Sequence, residues 1–390
     1  MTINSTTGQH AVTEVSSSST LRLTAIIVLA SFLPLVMMTA PAFTAQFSTQ
    51  LALNPAQIGS LFMAELGAMS LATLPALFWI KRVNLRTAAV VSSLIFLTGN
   101  LLSATVPSYS YLLPLRFFTA LGGGSLMIIC MSTAATLPNP AKAYGLWVLG
   151  QLLMGAIGIQ ILPGLFERFG LAVGYMLMAA LMAATLTLTK AFPRSLPSGT
   201  ATTHSLAHKG SVILGLLAVF VFDLSISGVW TFIGSIAAAS GISIQSSSTI
   251  LAVATLMGVA GAGAASLTGS RPSRIPMTVM GYAALITSVL LLVDKPDLLR
   301  FAFAALAFKF TWTFVLPLVM ACIADLDPSG RLMNVTNLVV GGGLALGPAL
   351  AGQLIQAQGS YTLTLLGSAA LCSASLALVL LSRASRSVTP

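Results

Sequence analysis

Four ionisable side chains interrupt long apolar stretches of this sequence, and they are the groups best able to do chemistry there. They are Glu65, Arg116, Asp223 and Lys309. A carboxylate can take up and release a proton, and a lysine or arginine can hold an anionic group. An isolated charge is costly in apolar surroundings, so each of the four is expected to have a partner or to face a watery cavity.

The composition indicates which solvent surrounds these stretches. The chain has 390 residues, of which 56% are hydrophobic and only 7% are charged, and its mean hydropathy is +0.95. In an ordinary soluble protein about a quarter of the residues are charged. The apolar runs reach about twenty residues, the length of a membrane-spanning helix, and they lack the alternation of barrel strands. The sequence therefore predicts an all-α polytopic membrane protein in a lipid bilayer.

Other residue types that often mark a site do not form one in this sequence. The cysteines stand at unrelated spacings in apolar segments, and the histidines lie in the N-terminal tail and the central loop: Cys130, Cys322 and Cys372; His10, His204 and His208. We therefore expect no disulfide framework, no metal site and no cofactor. The net charge of +10 is scattered singly over short loops, which fits membrane topology and predicts no nucleic-acid partner.

Apolar runs between polar breaks predict twelve transmembrane helices. The spans fall near 23–45, 57–80, 87–106, 111–136, 143–165, 171–191, 211–237, 247–268, 276–293, 298–324, 332–356 and 361–382. They form two six-helix, pseudo-symmetric halves at 21–191 and 211–383, with a disordered N-terminal tail at 1–20, a cytoplasmic central loop at 192–210 and a C-terminal tail at 384–390.

The basic residues predict the orientation of the chain. Of 18 lysines and arginines, 13 lie on the side of the two termini, three on the opposite side and two within spans. Positively charged loops stay in the cytoplasm. Both termini are therefore predicted to be cytoplasmic, in a cell inner (plasma) membrane.

Three cations of the first half recur in the second half at one offset. The pairs are Arg82 and Arg271, Lys142 and Arg331, and Arg194 and Arg383, each 189 residues apart. This spacing indicates an internal duplication. Two parallel repeats predict a binding site at their interface near the bilayer midplane, which is the architecture of a transporter.

Depth along the spans decides which of the four charges can pair. Glu65 lies roughly 12 Å from the outer end of its span at 1.5 Å per residue, and Arg116 lies at a similar depth. Asp223 and Lys309 both lie near the midplane of the second half. We therefore predict one acid–base pair in each half. Each pair has either a structural role in helix packing or a role in transport.

Helical spacing places aromatic and amide side chains beside these charges. Trp230 shares a face of span seven with Asp223, Trp312 shares a face of span ten with Lys309, and Tyr144, Trp147 and Gln151 share a face of span five. Such groups suit a partly apolar organic solute with a few polar atoms. The alternative is that tryptophan and tyrosine near helix ends anchor the protein in the membrane interface.

The segment LPLRFFTALGGG (113–124) carries a family resemblance. Its arginine followed by small residues, namely Arg116, Thr119, Ala120, Gly122 and Gly124, is similar to the fourth-helix motif of the major facilitator superfamily (MFS). LDPSGR (326–331) and GLALGPALAG (343–352) resemble a loop and a helix of that family. The loop IKRVNLRT (80–87) keeps the family's cations but lacks its acidic residue and glycine, and span five lacks the Gly-Pro pair associated with antiporters.

This resemblance covers 21–385 and implies that helices one, four, seven and ten line a central cavity. We accordingly predict proton coupling by Asp223, with Glu65 as the next candidate. The predicted substrate-binding residues are Lys309, Arg116, Gln151, Trp147, Trp230 and Trp312. The residues predicted to allow close helix packing and gating are Gly122, Gly123, Gly124, Gly341, Gly342, Gly343, Gly347 and Pro348.

The predicted function is secondary active, proton-coupled transport by alternating access. The partners would be a proton and a small organic solute, aromatic or carboxylate-bearing, and the transporter would work as a monomer. Alternatives are an MFS drug or metabolite efflux proton antiporter, a channel and, from another class, an integral-membrane enzyme. No Walker-type glycine loop is present, which excludes ATP hydrolysis by this chain as the driving force.

Overall fold

The computed structural model describes residues 6–105, 108–196, 209–268, 274–324 and 331–387. Throughout these ranges the regular structure is helical, without strands. Within the described residues, ten helices are long and apolar enough to cross a membrane, and two shorter apolar stretches of helix, Ser19–Phe32 and Arg274–Leu290, complete twelve spans. The predicted all-α membrane fold is confirmed.

The helices follow the predicted spans two to twelve to within a few residues. Span one comprises Thr6–Phe32, Leu35–Met38 and Ala40–Gln50; span two Pro55–Leu71 and Thr73–Trp79; span three Leu85–Thr105; span four Tyr109–Ala134; span five Pro140–Phe169; span six Ala172–Thr185 and the 3-10 helix Leu186–Ala191; span seven Lys209–Ala239; span eight Ile244–Thr268; span nine Arg274–Leu290; span ten Leu298–Ala324; span eleven Arg331–Gln358; and span twelve Thr362–Ser387.

Span one differs from its prediction in two respects. Helical backbone begins at Thr6, inside the segment 1–20 predicted to be disordered, and no proline interrupts the chain before Pro34. The span is also broken near its middle, whereas one continuous helix was predicted for 23–45. The breaks lie at Pro34 and just before Pro41, because proline lacks the N–H that a helix interior needs.

Local signals in the sequence explain several helix ends. Asn54 and Gln57 form a capping box at the start of span two, and the Asn139 side chain accepts from the N–H of Lys142 at the start of span five. Gly170 ends span five with a φ of 72°, a conformation that suits glycine. These signals mark the starts of spans two and five and the end of span five.

The two halves meet along three pairs of spans: two with eleven, five with eight, and the second part of span one with span seven. We call the membrane face that carries the loops after the odd-numbered spans the far face, and the other the terminal face. Span two follows span eleven from Pro55 beside Gly352, at the far face, to Ser70 beside Gly341. That contact covers roughly 22 Å at 1.5 Å per residue, so the halves are closed against each other at the far face.

The start of the central loop packs against the N-terminal half. Arg86 Nε donates to the carbonyl of Phe192 at 2.7 Å, and the N–H of Leu85 donates to the carbonyl of Arg194 at 3.0 Å. Residues 197–208 of the predicted loop, with His204 and His208, lie outside the described residues, as do Arg271 and 325–330. The internal repeat stays a prediction.

Candidate functional site

Glu65 of span two and Arg116 of span four form the ion pair predicted for the N-terminal half. Arg116 Nη2 lies 2.5 Å from Glu65 Oε1, and Arg116 Nε donates to Glu65 Oε2 at 3.2 Å. The pair is bidentate, which is the strongest geometry for arginine and a carboxylate. Arg116 is only 1% exposed, so its charge is neutralised inside the bundle.

Further polar groups from spans three and six surround the guanidinium. Arg116 Nη1 donates to Asn100 Oδ1 at 2.9 Å and to Ser103 Oγ at 3.4 Å. The ring of Tyr175 lies beneath it, with 4.8 Å between the guanidinium carbon and the ring centroid. Spans two, three, four and six are therefore tied together by one arginine. Asn100, Ser103 and Tyr175 were not among the predicted site residues, although the polar Asn100 and Ser103, three residues apart on one face of an apolar span, were a usable signal.

Lys309 of span ten lies between two tryptophan rings. Its Nζ is 3.6 Å from the ring centroid of Trp230 and 4.2 Å from that of Trp312. The two indoles meet edge to face at 6.3 Å, and Phe308 packs against Trp312. Three of the predicted substrate-binding residues thus form one cluster, which we call the lysine–tryptophan site.

The lysine–tryptophan site is buried at the interface between the halves. Lys309 is 3% exposed and Trp230 is 2% exposed. The indole N–H of Trp230 donates to the backbone carbonyl of Met37 in span one at 3.1 Å. Within the described residues, Lys309 forms no ion pair. Its charge is therefore balanced by aromatic faces, a cation–π arrangement worth about 2 kcal/mol or more when desolvated.

Asp223 does not pair with Lys309, and the prediction of an ion pair between them is wrong for this conformation. Asp223 is fully buried, and neither carboxylate oxygen has a hydrogen-bond partner among the described residues. Its Cβ lies 2.9 Å from the position that a Cβ on Gly343 of span eleven would take. Trp230 follows Asp223 by seven residues, or about 10 Å along the helix, which explains why the two charges do not meet.

The predicted residues of span five lie on the N-terminal side of the interface. Gln151 Nε2 donates to the carbonyl of Ala30 in span one at 3.0 Å. Trp147 packs against Tyr144 with ring centroids 5.8 Å apart, and its indole N–H has no partner among the described residues. Gln151 therefore contacts span one rather than the lysine–tryptophan site. Arg116 is likewise held within the N-terminal half.

The predicted glycines lie where helices approach closely. A Cβ on Gly124 would lie 2.5 Å from the Met69 carbonyl oxygen, and one on Gly122 or Gly123 would press on span three. In span eleven, a Cβ on Gly341 would strike Ser70, one on Gly343 would strike Phe220, and one on Gly347 would strike Ser227. Gly342 has more space, with Phe220 at 3.6 Å. The carbonyl of Pro348 fills the place that a Cβ on Gly59 would need.

These features define a two-half membrane transporter, and the family follows from comparison with known sequences. A sequence model of the Major Facilitator Superfamily matches residues 23–341. The chain belongs to that superfamily, as the fourth-helix arginine and glycines suggested. It is therefore a multi-pass membrane transporter that binds a small-molecule substrate.

Solved structures of the same fold extend over nearly the whole chain. The nucleoside transporter NupG, solved as a point mutant, is 12% identical with a TM-score of 0.73, covering 94% of this chain and 99% of its own. A bacterial homologue of the human lysosomal transporter Spinster, inward-facing and occupied, is 16% identical with a TM-score of 0.70, covering 93% and 96%. The human organic anion transporter MFSD10 is 15% identical with a TM-score of 0.66, covering 93% and 98%.

Proposed function

We propose that this chain is a proton-coupled secondary active transporter for a small organic solute that carries a carboxylate and an aromatic or other flat apolar part. The observation that carries this proposal is the lysine–tryptophan site. Lys309 presents a buried positive charge without a carboxylate partner among the described residues. An anionic group that displaced one indole face would gain a charge-assisted contact with the ammonium, and the indoles could stack on its apolar part.

Position also supports Lys309 as the substrate anchor. Trp230 joins span seven to span one across the interface between the halves, which is where a two-half transporter binds its substrate. Among the structural neighbours, one is an organic anion transporter and another a nucleoside transporter. Since Lys309 and Trp230 are buried here, the solute would reach them only after the halves separate.

Asp223 is the proposed proton carrier. A carboxylate without a donor or a cation nearby is costly to bury in its ionised form, so we infer that Asp223 is protonated in the conformation closed at the far face. Movement of span seven against span eleven would admit water and allow the proton to leave. Glu65 is the second candidate, but it already neutralises Arg116.

The proposal includes a functional monomer in an inner membrane with cytoplasmic termini. The far face would then be the outer face.

Efflux by proton antiport remains the alternative direction. Proteoliposomes with the pH gradient imposed inward or outward separate the two, because an uptake symporter and an antiporter accumulate solute with opposite gradients.

Substrate class is tested by counterflow in proteoliposomes with an aromatic acid and its neutral amide. Lys309→Gln should reduce counterflow of the acid at least tenfold while changing that of the amide little. Lys142→Gln removes an exposed cation at the start of span five and serves as the matched control. Equal losses of counterflow for the acid and the amide would show that Lys309 does not recognise the substrate carboxylate.

A further inference from the structure

Two prolines interrupt span one, and each leaves a backbone carbonyl without its helical donor. In a helix the N–H of one residue donates to the carbonyl four residues earlier, and proline has no N–H. Pro34 therefore cannot donate a hydrogen bond to the carbonyl of Ala30, and Pro41 cannot donate one to the carbonyl of Met37. An unsatisfied carbonyl inside a bilayer is costly, so the partners of these two groups matter.

In both cases a side chain from another span supplies a donor. Gln151 Nε2 of span five donates to Ala30 O at 3.0 Å, and Trp230 Nε1 of span seven donates to Met37 O at 3.1 Å. The two carbonyls lie seven residues apart, which is close to two helical turns. In both hydrogen bonds a side-chain N–H donates to the carbonyl that a proline N–H cannot reach.

We propose that Gln151 and Trp230 are positioning residues that cap the carbonyls freed by Pro34 and Pro41, and that Trp230 also fastens the two halves together at the far side of the interface. Gln151 acts within the N-terminal half and fixes span one against span five. Trp230 reaches from the C-terminal half to span one, so its bond must break whenever these two spans separate.

Close backbone contacts on both sides of the break support this assignment. On span five, a Cβ on Gly150 would strike Ser31, and one on Gly155 would lie 3.0 Å from the Cβ of Met38. On span seven, a Cβ on Gly234 would lie 3.2 Å from Pro41. The broken middle of span one is therefore seated between two small-residue surfaces, close enough for both side-chain bonds.

The Trp230 bond is coupled to the lysine–tryptophan site because one indole serves both. Its N–H contacts Met37 while its ring lies 3.6 Å from Lys309 Nζ. An anion that draws Lys309 away from the ring would alter the position of the same side chain that holds span one. This last step rests on the proposed function, whereas the two capping bonds do not.

The experiment combines removal of the indole N–H with restoration of the backbone N–H. Trp230→Phe keeps an aromatic ring beside Lys309 but removes the donor to Met37, and Pro41→Ala restores an N–H four residues after Met37. Spin labels on Thr49 and Gln245, both exposed at the far face, report the separation of the halves. Trp312→Phe is the matched control, since it changes the other indole beside the same lysine.

We expect Trp230→Phe to lower Tm by about 3 °C or more and to shift the distance distribution toward longer separations, with little effect from Trp312→Phe. In the Pro41→Ala background the Tm loss should be smaller, because Met37 O regains a donor, while the longer separation should persist. If Trp230→Phe alone does not fold, the same measurements are made on the double variant Trp230→Phe, Pro41→Ala, which should yield folded protein.

Three results would overturn the proposal: an unchanged distance distribution in Trp230→Phe, an equal Tm loss in both backgrounds, or no folded double variant. All of these readouts are independent of transport. A failed substrate assay with Lys309→Gln would therefore leave the capping result intact, and the reverse also holds.

Discussion

Asp223 and Lys309, the two charges predicted to pair at the midplane of the C-terminal half, occupy separate environments. Lys309 lies against the rings of Trp230 and Trp312. Asp223 lies about two turns away along span seven, fully buried and without a hydrogen-bond partner in the described part of the chain. Because the charges are apart, the proposed proton site and the proposed substrate site are separate, and coupling between them would pass through span seven.

The first prediction concerns Asp223→Asn, which keeps the size of the side chain but replaces the carboxyl group that can bind and release a proton. We expect folded yield within about twofold of the parent, because the carboxylate makes no hydrogen bond that the amide would break. Accumulation driven by a pH gradient should be abolished, while substrate counterflow should persist because it needs no net proton movement. Proteoliposome flux measures both.

Ser227, a polar residue close to Asp223 on span seven, provides the control for Asp223→Asn. Ser227→Ala removes a side chain one turn away on the same helix, whose Oγ donates to the Gly343 carbonyl, and it should leave proton coupling intact. If Asp223→Asn still accumulates solute when only a pH gradient is supplied, the proton role belongs to another residue.

The second prediction concerns the buried pair of Glu65 and Arg116. Breaking a buried ion pair by removing one partner typically costs about 3–5 kcal/mol, because a lone charge is left inside. Glu65→Gln and Arg116→Gln should each lower folded yield sharply. The double variant should recover part of that yield, as judged by size-exclusion profiles in detergent, and losses that simply add would contradict the pairing.

The success of the depth argument for one pair and its failure for the other have a physical explanation. Glu65 and Arg116 lie on adjacent spans of one half, where matching depth was enough to bring them together. Asp223 and Lys309 were predicted to match in depth, but Lys309 contacts span seven at Trp230, about 10 Å along the helix from Asp223. The level at which spans seven and ten pack sets Trp230 against Lys309 and leaves Asp223 against span eleven, and that level depends on contacts across the whole bundle.

Composition and periodicity predicted the helical membrane fold and the bounds of spans two to twelve, because hydrophobic length is a local property. The breaks in span one were missed even though Pro34 and Pro41 are visible in the sequence. Prolines are tolerated in membrane helices when neighbours satisfy the freed carbonyls. Those neighbours, Gln151 and Trp230, are distant in sequence, so only the three-dimensional arrangement reveals their role.

The third prediction compares two glycines of span two that face span eleven. A Cβ on Gly59 would overlap the carbonyl of Pro348, whereas a Cβ on Gly67 would meet only the Cβ of Ala345 at 3.7 Å. Alanine in place of a helix-interior glycine otherwise gains about 0.5–1 kcal/mol. Gly67→Ala should therefore keep or raise Tm. Gly59→Ala should lower it and lengthen the far-face distance between labels on Thr49 and Gln245.

A Gly59→Ala variant with the parent's distance distribution would mean that the close contact of spans two and eleven does not hold the far face shut. A Gly67→Ala variant as harmful as Gly59→Ala would show that general crowding between spans two and eleven, and not the Pro348 contact, sets the outcome.

The fourth prediction extends the carbonyl-capping argument to Gln151. Gln151→Leu keeps much of the side-chain volume but leaves the Ala30 carbonyl without its side-chain donor, at a cost of about 1–3 kcal/mol for a buried group. Pro34→Ala supplies a backbone N–H four residues after Ala30, so the loss of Tm caused by Gln151→Leu should shrink in that background. Because Gln151 and span one belong to the same half, the far-face distance should not change in either case.

Gln160→Leu, which changes an exposed glutamine on the same helix, is the control and should leave Tm unchanged. A longer far-face distance in Gln151→Leu, or a Tm loss that Pro34→Ala does not reduce, would show that Gln151 does not act by capping Ala30.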